Sequence, residues 1–364
     1  MKIKISDHQL FALAACFAIG DTVIAASASV ASFANQDAWI SAIIATIIGL
    51  AFIYLYYYLG LIYPGKTLID IIEICFGKLV GFIISFLFIV FICFLASAQV
   101  ISYIGNFFQN EYMTETPVYA FNILIALALC VGMLYGLEAI SRSAEVFVII
   151  VTILMIIAIL LNTNSIHPEH LLPVLEEGLG PCMKGALQLS SFLTWPFIFL
   201  LMIYPKNTNQ TKKTRNSLLL GYIYGAGINF VCTIMSLLVL GSTITARSLY
   251  PTYLMAKEIN VGILTRIEGL VSLSWILTEF IRILLYFYAG LMAFCQLMKI
   301  NNYRRLVMPF ALLILVFSGI VYPTSLYQAT WDMTTWVTYS IMFGGIFPIA
   351  LLIIAKTKKM KSLE

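Results

Sequence analysis

Acidic residues within apolar segments are the first candidates for chemistry in this chain. Asp21 follows Gly20 inside the apolar run CFAIGDTVIAA, residues 16–26. A charge at the centre of a bilayer costs at least about 2.5–3.5 kcal/mol on insertion scales, so an intramembrane acid is a functional candidate by default. Aspartate is also a preferred N-cap residue. We expect Asp21 to bind a ligand or a proton and, at the same time, to cap a restarted helix.

A second charged group lies further along the chain. Trp275, Glu279, Arg282 and Tyr286 are spaced i, i+4, i+7 and i+11, so they share one helix face. Glu279 and Arg282 can pair at i, i+3, which lowers the cost of burying both. We favour a structural ion pair that faces the helix bundle. The alternative is a gate or coupling element that breaks when the bundle rocks, and it would include Trp275.

A polar stripe precedes residue 110, formed by Gln99, Ser102, Tyr103 and Asn106. Such side chains often only hold helices together by hydrogen bonds. If the site is open outward, Gln99 and Tyr103 would line its entrance and contribute to gating.

The segment SSFLTWPF, Ser190–Phe197, interrupts another apolar run. Proline is tolerated in the first turn of a helix, where a missing N–H costs little, so Thr194 could cap a helix that restarts at Pro196. An aromatic residue beside such a break often covers a ligand pocket, although Phe192 and Trp195 could equally be bundle packing. We predict that this break lies beside the helix interruption at Gly20–Asp21 and that the two together form a ligand site. Its residues are Ala18, Ile19, Gly20, Asp21, Thr22, Ser190, Ser191, Phe192, Thr194 and Trp195.

Other reactive residue types do not form a recognisable site. The pair His167 and His170 in HPEH lacks a third ligand nearby and is predicted to be a solvated loop. The seven cysteines are scattered without metal spacing. With no phosphate loop, catalytic triad or nucleic-acid motif, we predict no cofactor, no metal and no enzymatic activity.

The elements that position these residues are membrane helices. The chain of 364 residues is 61% hydrophobic and 10% charged, whereas soluble domains carry about a quarter charged residues. Its long, continuous apolar runs disfavour a β-barrel. Windows of about 20 apolar residues suffice to cross a bilayer, and they predict an all-α polytopic membrane protein with about ten spans. These are residues 9–33, 38–62, 79–109, 117–137, 141–161, 186–204, 216–241, 268–297, 305–322 and 334–355.

The basic residues predict the orientation. If the N-terminus is cytoplasmic, loops on that side carry sixteen of the 21 lysines and arginines. The opposite loops carry only Lys184, Arg247, Lys257 and Arg266. The positive-inside rule therefore predicts both termini in the cytoplasm. On this topology Asp332 lies in an outer loop, and the N-terminal helix is retained rather than cleaved as a signal peptide.

Ten spans divide into two halves of five, and the sixth enters from the side opposite to the first. We therefore predict one domain, 1–364, built from inverted repeats at about 9–161 and 186–355. Both leading spans, one and six, are predicted to be broken, which is the sequence signature of a binding site at the bilayer midplane. Each restarted half-helix would point its positive end at the gap.

Three short segments carry a family resemblance. LLPVLEEGLGP (171–181), PKNTNQTKKTR (205–215) and TRIEGLVSLSW (265–275) occur in the order and spacing of endospore germination permeases, the GerB-type subunits of spore germinant receptors. The chain resembles this family over essentially its whole length.

The resemblance implies the amino acid–polyamine–organocation superfamily and a LeuT-like 5+5 inverted repeat. It also implies a place in the inner spore membrane, with A-type and C-type receptor subunits as partners and a small nutrient as ligand. Whether the nutrient is transported or only sensed is left open.

Asp21 departs from the family pattern, because small residues are usual at the first break. A fixed negative charge there would repel a ligand carboxylate. The alternatives are an Asp21 protonated because burial disfavours its charged form, a ligand bound mainly through an amine, or a nonacidic nutrient. Two rival functions also stay open: a secondary transporter coupled to protons through Asp21 or Glu279, and a non-transporting assembly scaffold.

Overall fold

The structure is a computed structural model that describes residues 4–209, 212–258 and 267–361. Within those ranges it is helical, without strands. The α-helices are α1 (Asp7–Ala34), α2 (Ala38–Ile62), α3 (Leu68–Phe76), α4 (Lys78–Phe88), α5 (Ala96–Glu111), α6 (Val118–Tyr135), α7 (Leu137–Leu161), α8 (Leu179–Leu193), α9 (Tyr204–Asn207), α10 (Lys212–Arg247), α11 (Pro251–Lys257), α12 (Glu268–Leu297), α13 (Arg304–Ser318), α14 (Ser325–Met333), α15 (Thr335–Ser340) and α16 (Phe347–Lys361).

The predicted membrane spans are confirmed in number and order. Among the described residues, eight helical stretches are long and apolar enough to cross a membrane. The first of them, Asp7–Ile62, contains both α1 and α2, which the turn Asn35–Asp37 separates. Helix α13, of 15 residues, completes ten spans. The chain is therefore a multi-pass membrane protein.

Helix α1 corrects one expectation. It runs unbroken from Asp7 to Ala34, so the predicted interruption at Gly20–Asp21 is wrong, and Ser6 rather than Asp21 caps a helix here. The glycine serves close packing instead. A Cβ at Gly20 would lie 2.9 Å from Cδ of Arg282 and 3.2 Å from Oε2 of Glu279. The absent side chain lets α12 bring both charged groups against α1.

The predicted break in span six is confirmed. Helix α8 ends at Leu193, and after Thr194 the chain continues as a 3₁₀-helix, Trp195–Met202, with Pro196 in its first turn. The capping role of Thr194 is wrong, because its hydroxyl instead pairs with the hydroxyl of Tyr222 at 2.8 Å. Proline has no N–H to donate to the carbonyl four residues earlier, so the carbonyl of Phe192 is left without its usual helical donor.

The broken segment is held from its other side by the last span. Between α15 and α16 lies a π-helical stretch, Ile341–Ile346, in which a Cβ on Gly344 would come within 2.1 Å of the Trp195 carbonyl oxygen. The hydroxyl of Tyr56 donates to the carbonyl of Gly344 at 2.5 Å and lies 3.3 Å from that of Trp195. Trp195 is thus packed between spans.

Helix α10 changes direction at Gly241, where φ is 74° and ψ is 165°. A positive φ is ordinary only for glycine, and it ends the straight part of the helix where the sequence predicts its end. The turn after the kink leads to Arg247 and then to α11. Helix α11 ends at Lys257, and residues 259–266 lie outside the described residues. Two basic residues of the charge pattern, Lys2 and Arg266, are therefore not described.

The packing of α10 on α1 generates a stability prediction. A Cβ at Gly225 would lie 2.4 Å from Cβ of Ala18 and 3.0 Å from the carbonyl oxygen of Ala15, whereas one at Gly227 meets nothing within 4 Å. We expect Gly225→Ala to lower the free energy of unfolding by about 1–3 kcal/mol through overpacking. Gly227→Ala, the matched control, should leave it unchanged or raise it by up to about 1 kcal/mol. Unfolding in detergent measures both, and equal effects would contradict this account of the α1–α10 contact.

Candidate ligand-binding site

A buried arginine connects three elements at the centre of the bundle. Arg282 on α12 has no exposed surface. Its Nη1 donates to the Phe17 carbonyl of α1 at 3.0 Å, and its Nη2 donates to the Phe192 carbonyl of α8 at 2.9 Å. Nη2 also lies 3.0 Å from Oδ2 of Asp21. A single guanidinium therefore binds α1 and α8 to α12.

The chemistry of each partner explains this arrangement. The Phe192 carbonyl needs a donor because Pro196 cannot supply one. The planar guanidinium can donate in several directions at once, which a lysine ammonium on its flexible stem does less well. The guanidinium carbon also lies 4.4 Å from the ring centroid of Phe17, within cation–π range. Arg282 is a structural bridge as well as the counter-charge of Asp21.

The predicted ion pair between Glu279 and Arg282 is wrong, because Arg282 has a different acidic partner. Arg282 pairs with Asp21 of the neighbouring helix, and no ion pair involving Glu279 is formed among the described residues. Glu279 is fully buried, and neither of its carboxyl oxygens has a hydrogen bond of ordinary geometry within the described chain. Its charged and polar neighbours include Asp21, Arg282 and Trp275. The fork of Arg282 is instead directed at acceptors on α1 and α8.

A cavity of about 270 Å³ lies beside this bridge. It extends from Asp21 along the C-terminal half of α1 to the connections that follow α10 and α13, on the face opposite the two termini. Its wall is largely apolar, with polar and aromatic residues from seven of the helices and from the connections between them. These polar and aromatic residues are Asp21, Ser29, Gln99, Tyr103, Asn106, Gln188, Phe192, Arg247, Ser248, Tyr250, Tyr286, Tyr322, Ser325, Gln328, Asp332 and Trp336.

The structure brings together part of the predicted site. Asp21, Phe192, Gln99 and Tyr103 line the cavity. Trp275 lies behind Tyr103, with their ring centroids 5.5 Å apart and the rings edge to face. The other predicted ligand residues do not line it and are buried between helices: Ala18, Ile19, Gly20, Thr22, Ser190, Ser191, Thr194 and Trp195.

Three of the four buried hydroxyls among these residues, those of Thr22, Ser190 and Ser191, are already satisfied within their own helices, and the fourth, of Thr194, pairs with Tyr222. The Thr22 hydroxyl donates to the Ala18 carbonyl at 2.7 Å, and that of Ser190 donates to the Ala186 carbonyl at 2.8 Å. The Ser191 carbonyl accepts the indole N–H of Trp336 at 3.1 Å. These contacts support the two helices rather than a ligand.

Sequence reasoning missed the wall that α14 provides. Asp332, predicted in an outer loop, lies in α14 and faces the cavity. The Tyr322 hydroxyl donates to its Oδ1 at 3.0 Å, and the Gln188 amide donates to its main-chain carbonyl at 3.0 Å. One signal could have found it: Thr324, which caps α14 by accepting the Tyr327 N–H, is a helix-start residue ahead of SLYQATWDM.

The two histidines of HPEH lie away from the cavity. His167 contacts Glu169 at 3.1 Å, and His170 contacts the carbonyl of Leu238 at 3.0 Å. Within the ranges that the structure describes, no three potential metal ligands converge.

The sequence is similar to those of known proteins. Residues 4–326 match the Spore_permease family, described as spore germination protein. The chain belongs to this family. The chain is similar to spore germination protein KB of Bacillus subtilis strain 168, with 26% identity over 99% of the chain and 96% of that protein. It is also 24% identical to spore germination protein YndE of the same strain, over 89% of the chain and 88% of that protein.

Solved structures give the fold. The nucleobase–cation symporter family transporter Mhp1 superimposes on 92% of this chain and over 76% of its own, with a TM-score of 0.69 and 11% identity. MhsT, solved in complex with L-phenylalanine, superimposes on 97% of this chain and over 99% of its own, with a TM-score of 0.63 and 12% identity. Both are LeuT-fold transporters, so the LeuT-like fold predicted from the sequence is confirmed, with the correction that α1 is continuous.

The Arg282 bridge generates a prediction for paired variants. Arg282→Met leaves Asp21 without its counter-charge and the Phe192 carbonyl without its donor, so we expect the free energy of unfolding to fall by about 3–5 kcal/mol. Adding Asp21→Asn should recover part of that loss, because both substitutions remove the same pair. Unfolding of the two single variants and the double variant in detergent measures the coupling. Strictly additive losses would show that the pair contributes nothing.

Proposed function

We propose that this protein is the nutrient-sensing subunit of a germinant receptor. In this proposal a small nutrient such as an amino acid binds in the cavity near the bilayer midplane, and binding triggers germination. The observation that carries the proposal is the cavity itself, because Asp21 and Phe192 belong both to its wall and to the Arg282 bridge. Membership of a family of spore germination proteins supplies the biological context.

The proposed mechanism depends on that shared wall. A ligand changes a conformational equilibrium only through different affinities for the two states. A ligand in the cavity touches α1 and α8 at residues bonded to Arg282, so its contacts depend on how α1 and α8 sit relative to α12. Rearrangement of this bridge would be the step that passes binding on to the receptor.

The receptor context is proposed from the relatives and the charge pattern. We place the protein in the inner spore membrane with both termini cytoplasmic, since most lysines and arginines lie on the side of the termini. A-type and C-type receptor subunits are the proposed partners. We also propose that the repeats span about 9–161 and 186–355 within the single domain, and that no catalysis is involved.

One observation favours a second candidate, a proton-coupled secondary transporter. Glu279 is a buried carboxyl beside the Asp21–Arg282 pair and has no ion-pair partner among the described residues. Such intramembrane acids often carry protons in transporters. Nutrient uptake into proteoliposomes that requires a pH gradient, and is lost in Glu279→Gln, would establish transport. Binding of nutrient without flux would support the sensor. If variants of the cavity wall bind nutrient and germinate as the unmodified protein does, a scaffold role would be indicated.

Filling the cavity should abolish the response to nutrient. Ala25 lines the cavity on α1, and Ala25→Leu adds three carbons to its wall. We expect spores with this variant to lose most nutrient-triggered germination at unchanged protein level. The matched control is Ala128→Leu, the same substitution at an exposed position of α6, which should germinate normally. Optical density loss after nutrient addition, with immunoblots of spore membranes, measures both. Normal germination of Ala25→Leu spores would rule the cavity out as the nutrient site.

A further inference from the structure

The cavity wall contains a carboxyl group that has no cationic partner among the described residues. The wall holds two carboxyl groups, Asp21 and Asp332. Asp21 is paired with Arg282 at 3.0 Å, whereas the structure records no ion pair for Asp332 among the described residues. The cation on the cavity wall, Arg247, also forms no ion pair with Asp332. A carboxylate facing a mostly apolar cavity without a counter-charge is a position where a cationic ligand group gains binding energy.

The surroundings of Asp332 fix its orientation and add aromatic faces. The Tyr322 hydroxyl donates to Oδ1 at 3.0 Å, and the Gln188 amide holds the main chain of the same residue. Trp336, one turn further on, lines the cavity, and its indole N–H is anchored to the Ser191 carbonyl at 3.1 Å. A preorganised carboxylate with aromatic rings nearby is a typical environment for an alkylammonium group.

On α5, two hydrogen-bond donors at the cavity have no acceptor within the described chain. Gln99 is 6% exposed and lines the cavity, and its amide nitrogen has no hydrogen-bond partner within the described chain. The hydroxyl of Tyr103, one turn along the same helix, also has none there. Tyr103 and Asp332 lie close enough to interact electrostatically. A buried donor without a partner is costly, and a ligand oxygen at this position would satisfy both groups.

We propose that Asp332, oriented by Tyr322, binds the primary ammonium of the ligand, and that Gln99 and Tyr103 donate to its carboxylate or carbonyl oxygen. The ligand class is then a small zwitterionic amino acid or a similar amino-carbonyl compound. This inference rests on the proposed function and deepens it. Because Arg282 pairs with Asp21, the pair carries no net charge and repels a ligand carboxylate less than a lone Asp21 would, and the proposed ammonium site lies on α14 instead.

The test uses the purified full-length protein in detergent and matched probe series. The probes are the common L-amino acids, the 2-hydroxy acids that replace their ammonium with a hydroxyl, and sodium chloride. We expect thermal stabilisation by at least one amino acid and none by its 2-hydroxy acid. Asp332→Asn should weaken that binding about thirtyfold or more, as expected when one partner of a desolvated charge pair is removed. Asp332→Glu should retain part of the affinity.

Two controls separate binding from folding. Glu176→Gln removes a carboxylate charge from an exposed loop residue ahead of α8, outside the cavity wall, and should leave affinity unchanged. Tyr322→Phe, which removes one hydrogen bond to Asp332, should weaken amino-acid binding less than Asp332→Asn does.

Several results would overturn the proposal. These are equal stabilisation by the 2-hydroxy acid, unchanged affinity in Asp332→Asn, or no binding by any amino acid. Stabilisation by sodium chloride equal to that by the amino acid would indicate an inorganic cation instead. The germination role fails separately: if Asp332→Asn loses binding while its spores germinate normally, the ammonium site stands and the receptor function does not.

Discussion

A buried guanidinium needs hydrogen-bond acceptors and a balancing charge, and most of the central geometry follows from this constraint. Two main-chain carbonyls and one carboxylate, from α1 and α8, meet most of this need for Arg282, although its Nε has no hydrogen-bond partner within the described chain. Gly20 is a glycine because α12 must approach α1 closely enough for these bonds. Pro196, which follows the end of α8, leaves free the Phe192 carbonyl that Arg282 binds. The break and the bridge are therefore two parts of one arrangement.

The same constraint assigns different tasks to the three nearby acids. Asp21 balances Arg282, so its negative charge is used within the protein although it lies on the cavity wall. Asp332 faces the same cavity without a balancing cation among the described residues, which leaves it available to a ligand. Glu279 is fully buried and does not line the cavity. Asp21, the acid that the sequence marks as a ligand residue, is thus first a structural counter-ion of Arg282. Asp332, which the sequence places in a loop, is the carboxyl group available to a ligand.

The sequence predicts the spans well because their signal is local: about 20 apolar residues are required, whatever their neighbours. The break at Pro196 is also local, since a proline removes a donor in any helix. The Gly20–Asp21 step carries the same kind of local signal, yet α1 stays continuous, because the glycine answers a contact with α12. Helical spacing places Glu279 and Arg282 on one face, but it cannot show that a carboxylate on another helix takes the arginine. The position of Asp332 was predicted wrongly because hydropathy places the start of the last span at the apolar run, residue 334, whereas the helix α14 precedes that run.

The two sides of the cavity are held in different ways. On one side α1 and α8 are fixed to α12 by the Arg282 bridge. On the other, α5 and α14 carry Gln99 and Asp332, and π-helical stretches, Ile89–Leu95 and Ile341–Ile346, occur in the same two spans. Phe91 of the first stretch stacks on Tyr339 beside the second, with centroids 5.0 Å apart, so these irregular segments pack on each other. π-helical turns are rare and concentrate at functional sites, and here they occur in the spans on the side of the cavity that the Arg282 bridge does not hold. A ligand held between Gln99 and Asp332 would touch the irregular side through its charges and the bridged side through Phe192, and its affinity would depend on the distance between them. That dependence is the differential contact that a sensor requires.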